Sequence, residues 1–531
     1  MWAGKVESIA VACGLKMAST VSKQPRDRNI FPWLMVLSNA MIISTNAFAL
    51  FQCFPYAGYM VVWLGKAKTK DEAGYYAGYL GAGFMIGRAS TSLLWGIIAD
   101  IKGRKLVMMI GCFAMIVFQI MFGLAQTFEV ALASRILLGI FNGLVGTSKT
   151  VASEIVNRDR RDHQALSMSI LSAGVSVASL LGPAIGGWLS DPANQYPGSM
   201  FDVEFFQQYP YFLPNLAGAF LAFVSMVLCF FCLEETLVKK QAPLQRPLDG
   251  TDQSVFAKEK EVPLFRQMLP LLRESLALIQ QPAVRVAVLW YSIHSMFSIY
   301  VYEIFPLWLL ATKESGGMEF GLAAIGSIQS ITGLVLLLYQ SFLFPKIAKK
   351  VLPVQLWSRS GILLFPLIVA MPFLALLSHH TEISFVLSAV LRSVQIILDM
   401  TMFTCSFLLI NNSCDGDKRG AANGLAMSVA SVFKSVGPIV GGVIFAWSAT
   451  NGLAFPLDHH FSFFLVAVLT LMESYFISKM PKHLNRMKGL GIPTKTGHAL
   501  LGAAEDKTVA VEMVSIEKKE QRDCSGKKEM I

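Results

Sequence analysis

The chain has 531 residues, of which 54% are hydrophobic and 15% charged, with a formal net charge of +10. A soluble chain usually carries about 25% charged residues, so a soluble enzyme, a disordered protein and a disulfide-rich secreted domain are poor fits. With 37 Phe, 25 Met and 9 Trp, a polytopic membrane protein is the natural reading, and the basic excess must be explained by where it sits.

Residues 1–30 show no clean signal peptide: the apolar run Ile9 to Leu15 is short, and Lys16, Lys23, Arg26 and Arg28 follow it. They read as a cytosolic basic tail, with an organellar transit peptide as the alternative. A spanning helix needs about 20 mostly apolar residues. Twelve candidates follow, at 33–62, 73–99, 106–125, 129–153, 165–189, 211–233, 284–311, 320–343, 354–377, 383–410, 421–447 and 461–478. A bend is expected near Pro55 in the first. The polar stretch Glu234 to Pro282 separates six spans from six, and the residues from Pro481 onward read as a disordered tail. The expected organisation is a tail (1–30), a six-helix bundle (31–233), a cytosolic loop (234–282), a second bundle (283–480) and a tail (481–531).

Lysine and arginine set the orientation. With both termini cytosolic, the outside loops hold only Lys66, Lys68, Lys70 and Lys313, and the short inside loops hold more. The positive charge is thereby explained by topology, and nucleic-acid binding is not needed. Cys229-Phe-Phe-Cys232 lies inside a predicted span and has no second pair, so packing outweighs zinc or redox chemistry.

The halves repeat. Gly182-Pro183 with Gly186-Gly187 recurs as Gly437-Pro438 with Gly441-Gly442, each in the fifth span of its half; Arg135 and Arg392 both lie in fourth spans. The predicted fold is therefore all-α, with twelve transmembrane helices in two pseudo-symmetric six-helix bundles and a central cavity between them.

Gly96-Ile-Ile-Ala-Asp100-Ile-Lys-Gly103-Arg104-Lys105 joins spans two and three. Its glycines permit a tight turn, and Asp100 can cap the next helix or pair with a base on a neighbouring one, forming a gate latch. The segment resembles motif A of the major facilitator superfamily, with Ile101 in place of the usual basic residue. Arg135-Ile-Leu-Leu-Gly139 resembles motif B, whose arginine is implicated in proton coupling; a structural arginine bonding helix carbonyls is the alternative. Gly182-Pro183-Ala-Ile-Gly186-Gly187 resembles the core of motif C of drug:proton antiporters, although Ala178 stands where glycine is common. Gly74-x-x-x-Gly78 and Gly83-x-x-x-Gly87 read as packing faces.

Ionisable residues inside apolar spans are costly and mark function. They are Arg88, Arg135, Lys149, Glu154, His294, Glu303, Arg392, Asp399, Lys434 and Glu473. Glu303, set among aromatic residues, is the first candidate for proton coupling and Asp399 the second; either can instead partner Arg392 or Lys434. Glu154 and Glu473 are expected near cytosolic ends, and His294 is either a core histidine or a proton site. His379-His380 and His459-His460 fall in outside loops and read as solvated rather than metal-binding. Gly143 to Thr150 lacks the Gly-Lys of a phosphate loop, so no ATP site and no cofactor is expected.

Several stretches look like the zinc-induced facilitator-like family: Phe84 through Arg88 and Trp95 to Asp100, Asp191 to Pro197, Tyr211 to Pro214, Glu303 to Trp308, Arg419 to Gly424, and Lys434 before Gly437-Pro438. The resemblance runs from about Phe31 to Met480. It implies proton-coupled transport of a small organic solute or cation in a vacuolar or plasma membrane. Members are linked to zinc tolerance, export of chelators such as nicotianamine or phytosiderophores, and potassium or auxin transport. Family members often have His-Asp in span seven, whereas here Ser295 follows His294. The expected function is antiport of a small organic solute, such as a metal chelator or its complex, against protons by a monomer in the bilayer. Uniport of organic anions or sugars is the alternative, and a non-transporting receptor or sensor is the alternative of another class.

Overall fold

The computed structural model describes residues 31–155, 161–237, 273, 277–348, 350–414 and 419–485. The predicted tails, Pro481 to Asn485 excepted, and most of the central loop lie outside these residues. The described chain is helical, and the apolar runs set the helices. They are α1 (Trp33–Phe51), α2 (Phe54–Trp63), α3 (Gly74–Lys102), α4 (Arg104–Gly123), α5 (Phe128–Ile140), α6 (Leu144–Glu154), α7 (Arg161–Trp188), α8 (Phe212–Cys232), α9 (Pro282–Leu310), α10 (Leu322–Leu338), α11 (Pro353–Ala370), α12 (Thr381–Ser413), α13 (Arg419–Thr450) and α14 (His460–Ser478). Eleven segments among the described residues are long and apolar enough to cross a membrane, and a 50° bend between Ser92 and Leu94 divides the twelfth, α3.

Two further spans are broken. The first stops at Phe51 and restarts as α2 with Pro55 in its opening turn, where the missing N–H leaves no bond unmade. The fourth was expected to be continuous over 129–153, but α5 ends at Ile140 and α6 begins at Leu144. Gly143 sits against Trp95 and Val107 there, leaving no room for a larger residue. The Ile140 carbonyl accepts from Trp95 Nε1 and Thr91 Oγ1, each at 2.7 Å. The backbone group exposed by the break is thus satisfied by side chains. A π-helical turn, Tyr339–Leu343, continues α10.

Packing repeats with the sequence. Helix α1 packs on α7 as α9 packs on α13; α4 on α8 as α11 on α14; α3 on α5 as α10 on α12. Between halves, α3 packs on α13 as α7 packs on α10. Helix α9 is the most enclosed, with 72% of its apolar window buried, whereas α8 and α11 are 33% buried. The exposed Phe220, Phe223, Phe230 and Phe231 of α8 and Ile362 and Leu363 of α11 face outward, as lipid requires.

Many interior hydroxyls bond within their own helix. Ser38, Thr45, Ser292, Ser330, Ser393, Thr401 and Thr470 each donate to the carbonyl four residues earlier. Longer polar side chains cross between helices inside each half. Gln52 donates to Gln119 and Asn215, and Asn142 to Asn46; Tyr300 meets Ser462 and Tyr339 meets Thr401.

Candidate functional site

The two halves meet along glycines. Gly182 and Gly186 lie against the backbone at the end of α1, around Phe51 and Gln52, within their own half. Gly187 instead reaches α10, where an added Cβ would stand 2.6 Å from the Leu322 carbonyl oxygen and 2.7 Å from Gly326 Cα. The second copy repeats the division of labour. Gly437 and Gly441 lie against Met296, Ile299 and Tyr300 of α9, while Gly442 faces the backbone of Gly74 on α3. Gly78 lies against Pro438, and a Cβ on Gly81 would be 2.7 Å from Glu303 Oε2. In each motif the last glycine lies in the seam between halves. Of the span-two packing faces, Gly74 and Gly78 meet α13, while Gly83 and Gly87 meet α5.

These seams lie toward the end of the bundle remote from Phe31 and Asn485. There, Asp71 accepts from the Thr312 backbone N–H at 2.9 Å and from its hydroxyl at 3.0 and 3.1 Å, and Tyr59 donates to the Phe320 carbonyl at 2.6 Å. Both contacts join one half to the other.

At the opposite end, the turn at Gly103 has φ +115°, a conformation that favours glycine. Arg104 bonds Asp100 at 3.0 Å and Glu154 at 3.1 Å, and Thr236 donates to Glu154 at 2.6 Å. Asp100 does not cap α4. Glu235, which sequence reasoning missed, accepts from the backbone N–H groups of Arg104 and Lys105 at 2.9 and 3.1 Å. It follows a hydrophobic helix without matching any motif, so only the fold identifies it. Lys105 donates to the Phe230 carbonyl, and Gly96 has open space beside it. These contacts tie the first half to the start of the central loop, and Asp100 remains 56% exposed.

Arg135 donates to the carbonyls of Ala49 at 3.0 Å and Leu80 at 3.2 Å and lies over the Phe84 and Phe122 rings. Its Nη2 is buried without a hydrogen-bond partner, as is Glu303 Oε2. Both side chains reach the same turn of α3, Arg135 at the Leu80 carbonyl and Glu303 beside Gly81. Arg392, the repeat counterpart of Arg135, is placed differently. It stacks on Tyr302 and Phe305 at 5.0 and 4.8 Å and bonds Gln395. It also borders a cleft between halves with Phe51, Phe54, Gln329 and Thr332. Arg88 approaches Ser431 at 3.4 Å, Lys149 lies over Phe407 at 4.2 Å, and Lys434 over Phe403 at 4.8 Å.

The acids are distributed otherwise than expected. Neither Glu303 nor Asp399 forms an ion pair with Arg392 or Lys434. Asp399 accepts from Ser298 at 2.6 Å and lies 3.6 Å from His294 Nε2. Glu473, expected near a cytosolic end, is 1% exposed and lies 3.2 Å from His294 Nδ1. Helices α9, α12 and α14 thus bring one imidazole between two carboxylates. Trp357 packs edge-on against that imidazole at 5.6 Å.

In the loop before α14, Asp458, His459 and His460 place potential ligand atoms within 4.8 Å of one another. His379 and His380 are not part of this group. Burial opposes ionisation of Asp458, but the His460 hydrogen bond and the two imidazoles hold its carboxyl below the usual range; burial and His460 push His459 down.

Residues 33–438 match the profile of the Major Facilitator Superfamily. The chain is 36% identical over 425 residues to a probable peptide/nitrate transporter of Arabidopsis thaliana, covering 79% of this chain and 83% of the relative. It is 34% identical over 447 residues to the Arabidopsis thaliana protein ZINC INDUCED FACILITATOR 1, covering 83% and 89%. Among solved structures, a D-xylose–proton symporter superposes with a TM-score of 0.62 at 12% identity, covering 86% of this chain and 100% of that one. A human organic anion transporter gives 0.56 at 17%, with the same coverage.

Proposed function

Because the chain belongs to the major facilitator superfamily and, within it, to the zinc-induced facilitator-like family, we propose that it is a proton-coupled antiporter of a small organic solute, such as a metal chelator or its metal complex. The observation that carries this reading is His294 held between Glu473 and Asp399. An imidazole in contact with two carboxylates can share and exchange protons with them without an external counter-ion. The cleft bordered by Arg392 is the solute path, and Ser298, Arg392 and Asp399 also border one smaller cavity. Proton site and solute path are thus neighbours.

In this proposal the bundles are residues 31–233 and 283–480, joined by a cytosolic loop. The monomer sits in a vacuolar or plasma membrane with both termini cytosolic. The halves rock about the solute path, parting at the Gly74–Gly442 and Gly187–Gly326 seams in one state and closing them in the other. Asp100 and Arg104 hold the cytosolic turn within the first half.

The test uses the full chain in proteoliposomes, an imposed pH gradient and nicotianamine as the first solute, followed by an untargeted metabolite mixture. Solute-dependent proton movement is expected, and it should disappear in Glu473→Gln and His294→Ala while solute binding persists. Solute flux that ignores the gradient, or proton movement unchanged in both variants, overturns the coupling.

A further inference from the structure

Three cations meet where the halves face each other, on the side of the seam nearer the termini. Arg88 comes from α3, Lys149 from α6 and Lys434 from α13. The two lysines stand over one aromatic cluster, while Arg88 lies over Phe84. Phe403 and Phe407 lie 5.1 Å apart, and Tyr291 lies 5.5 and 5.0 Å from them. Lys149 stands over Phe407, and Lys434 over Phe403 and Tyr291. Arg88 is tied to the same helix turn as Lys434, its Nε–H pointing to the Ser431 hydroxyl three residues earlier at 3.4 Å.

Their charges are poorly matched by the protein. Among the described residues none of the three forms an ion pair, and neither ammonium group has a hydrogen-bond acceptor. Arg88 has one long bond, to the Ser431 hydroxyl. The Asp399 carboxylate is engaged by Ser298 and His294. Cation–π contact offsets part of the desolvation of an ammonium group but leaves its N–H donors unmet. Like charges gathered away from bulk water are unfavourable unless an anion joins them.

The geometry points to an anion-binding site formed by Arg88, Lys149 and Lys434, which accepts a small inorganic anion such as chloride or a carboxylate group of the carried solute. The donors come from both halves. Arg88 and Lys149 belong to the first and Lys434 to the second, so the anion bridges the seam as well as neutralising it. Both lysines are half-buried rather than sealed, which leaves the site reachable.

The site is read by binding alone, without membrane or gradient, so its failure is distinct from failure of proton coupling. Purified full-length protein is titrated with chloride while the width of the chloride NMR signal is followed, and in a parallel arm with malonate while the melting temperature is followed. Saturable broadening supports an inorganic anion, and stabilisation by malonate alone supports a solute carboxylate. In either case Lys149→Gln and Lys434→Gln should each weaken the effect about tenfold, as loss of one charged hydrogen bond does. Lys434→Arg should retain it. If one glutamine variant does not fold, the other carries the test. Wild-type protein that responds to neither anion, or variants that respond as wild type does, overturns the assignment.

Discussion

Replacing Gly78 by alanine should open the seam between the halves without unfolding either one. A Cβ at this position would stand 2.9 Å from the Pro438 carbonyl carbon and 3.2 Å from Ile439 Cα, and closer still to the Pro438 carbonyl oxygen. All three are backbone atoms of α13, so no side chain can rotate away. Ordinary contact requires the helices to part by roughly 1 Å, which forfeits about a quarter to a half of the dispersion energy along the contact. Overpacking of this kind costs about 1–3 kcal/mol. At about 2 kcal/mol the closed seam loses roughly 30-fold in population against the open one. Spin labels at Lys68→Cys and Lys313→Cys, on loops of opposite halves, report the separation. The substituted protein should show a longer-distance population absent from wild type. Gly96→Ala, whose Cβ meets nothing within 4 Å, should leave the distances unchanged. A Gly78→Ala protein with the wild-type distance distribution refutes the reasoning, whatever its melting temperature.

Three further outcomes follow from the same geometry. Gly87→Ala should lower the melting temperature without shifting those distances, because its Cβ would strike the Ile136 carbonyl oxygen and Ile140 N inside the first half; thermal unfolding and the same spin labels separate the two effects. Asp71→Ala removes three hydrogen bonds to Thr312 and should favour the open seam by about 1–2 kcal/mol, read as faster thiol modification at neighbouring cysteine substitutions. Glu235→Ala removes the acceptor at the start of α4 and should cost about 1 kcal/mol of stability, with faster amide exchange at Arg104 and Lys105 as the local readout.

Sequence periodicity and composition were sufficient for the number of spans, and the repeated glycine motif marks close helix contacts without distinguishing those within a half from those between halves. This was possible because close backbone approach admits few residues besides glycine, so the constraint is written in residue type. The break in span four was hidden for a related reason: Gly143 in an apolar run looks like any packing glycine, and only Trp95 and Thr91 from α3 show that a carbonyl was released. Glu473 lies near the end of α14, as its place in the sequence suggests, but its contact with His294 was hidden. Its burial depends on how α9 and α12 lean against α14. The partners of Asp399 were similarly hidden, since they depend on helix rotation. A difference in local environment, not in sequence spacing, separates Arg135, tied to carbonyls, from Arg392, stacked beside the cleft.

The interior hydroxyls carry a consequence for motion. At the seam, Ser428 meets Ser92 and Ser431 meets Arg88, yet each serine also donates to its own helix, to the carbonyls of Gly424 and Met427. When the facing helix departs, these serine protons already have a home, and the Arg88 Nε–H alone loses an acceptor. Inside each half the amides of Gln52, Asn142 and Gln395 do the reverse and fasten helix to helix. Along this stretch of the seam short side chains make a surface that slides, while inside each half long amides make a body that holds its shape.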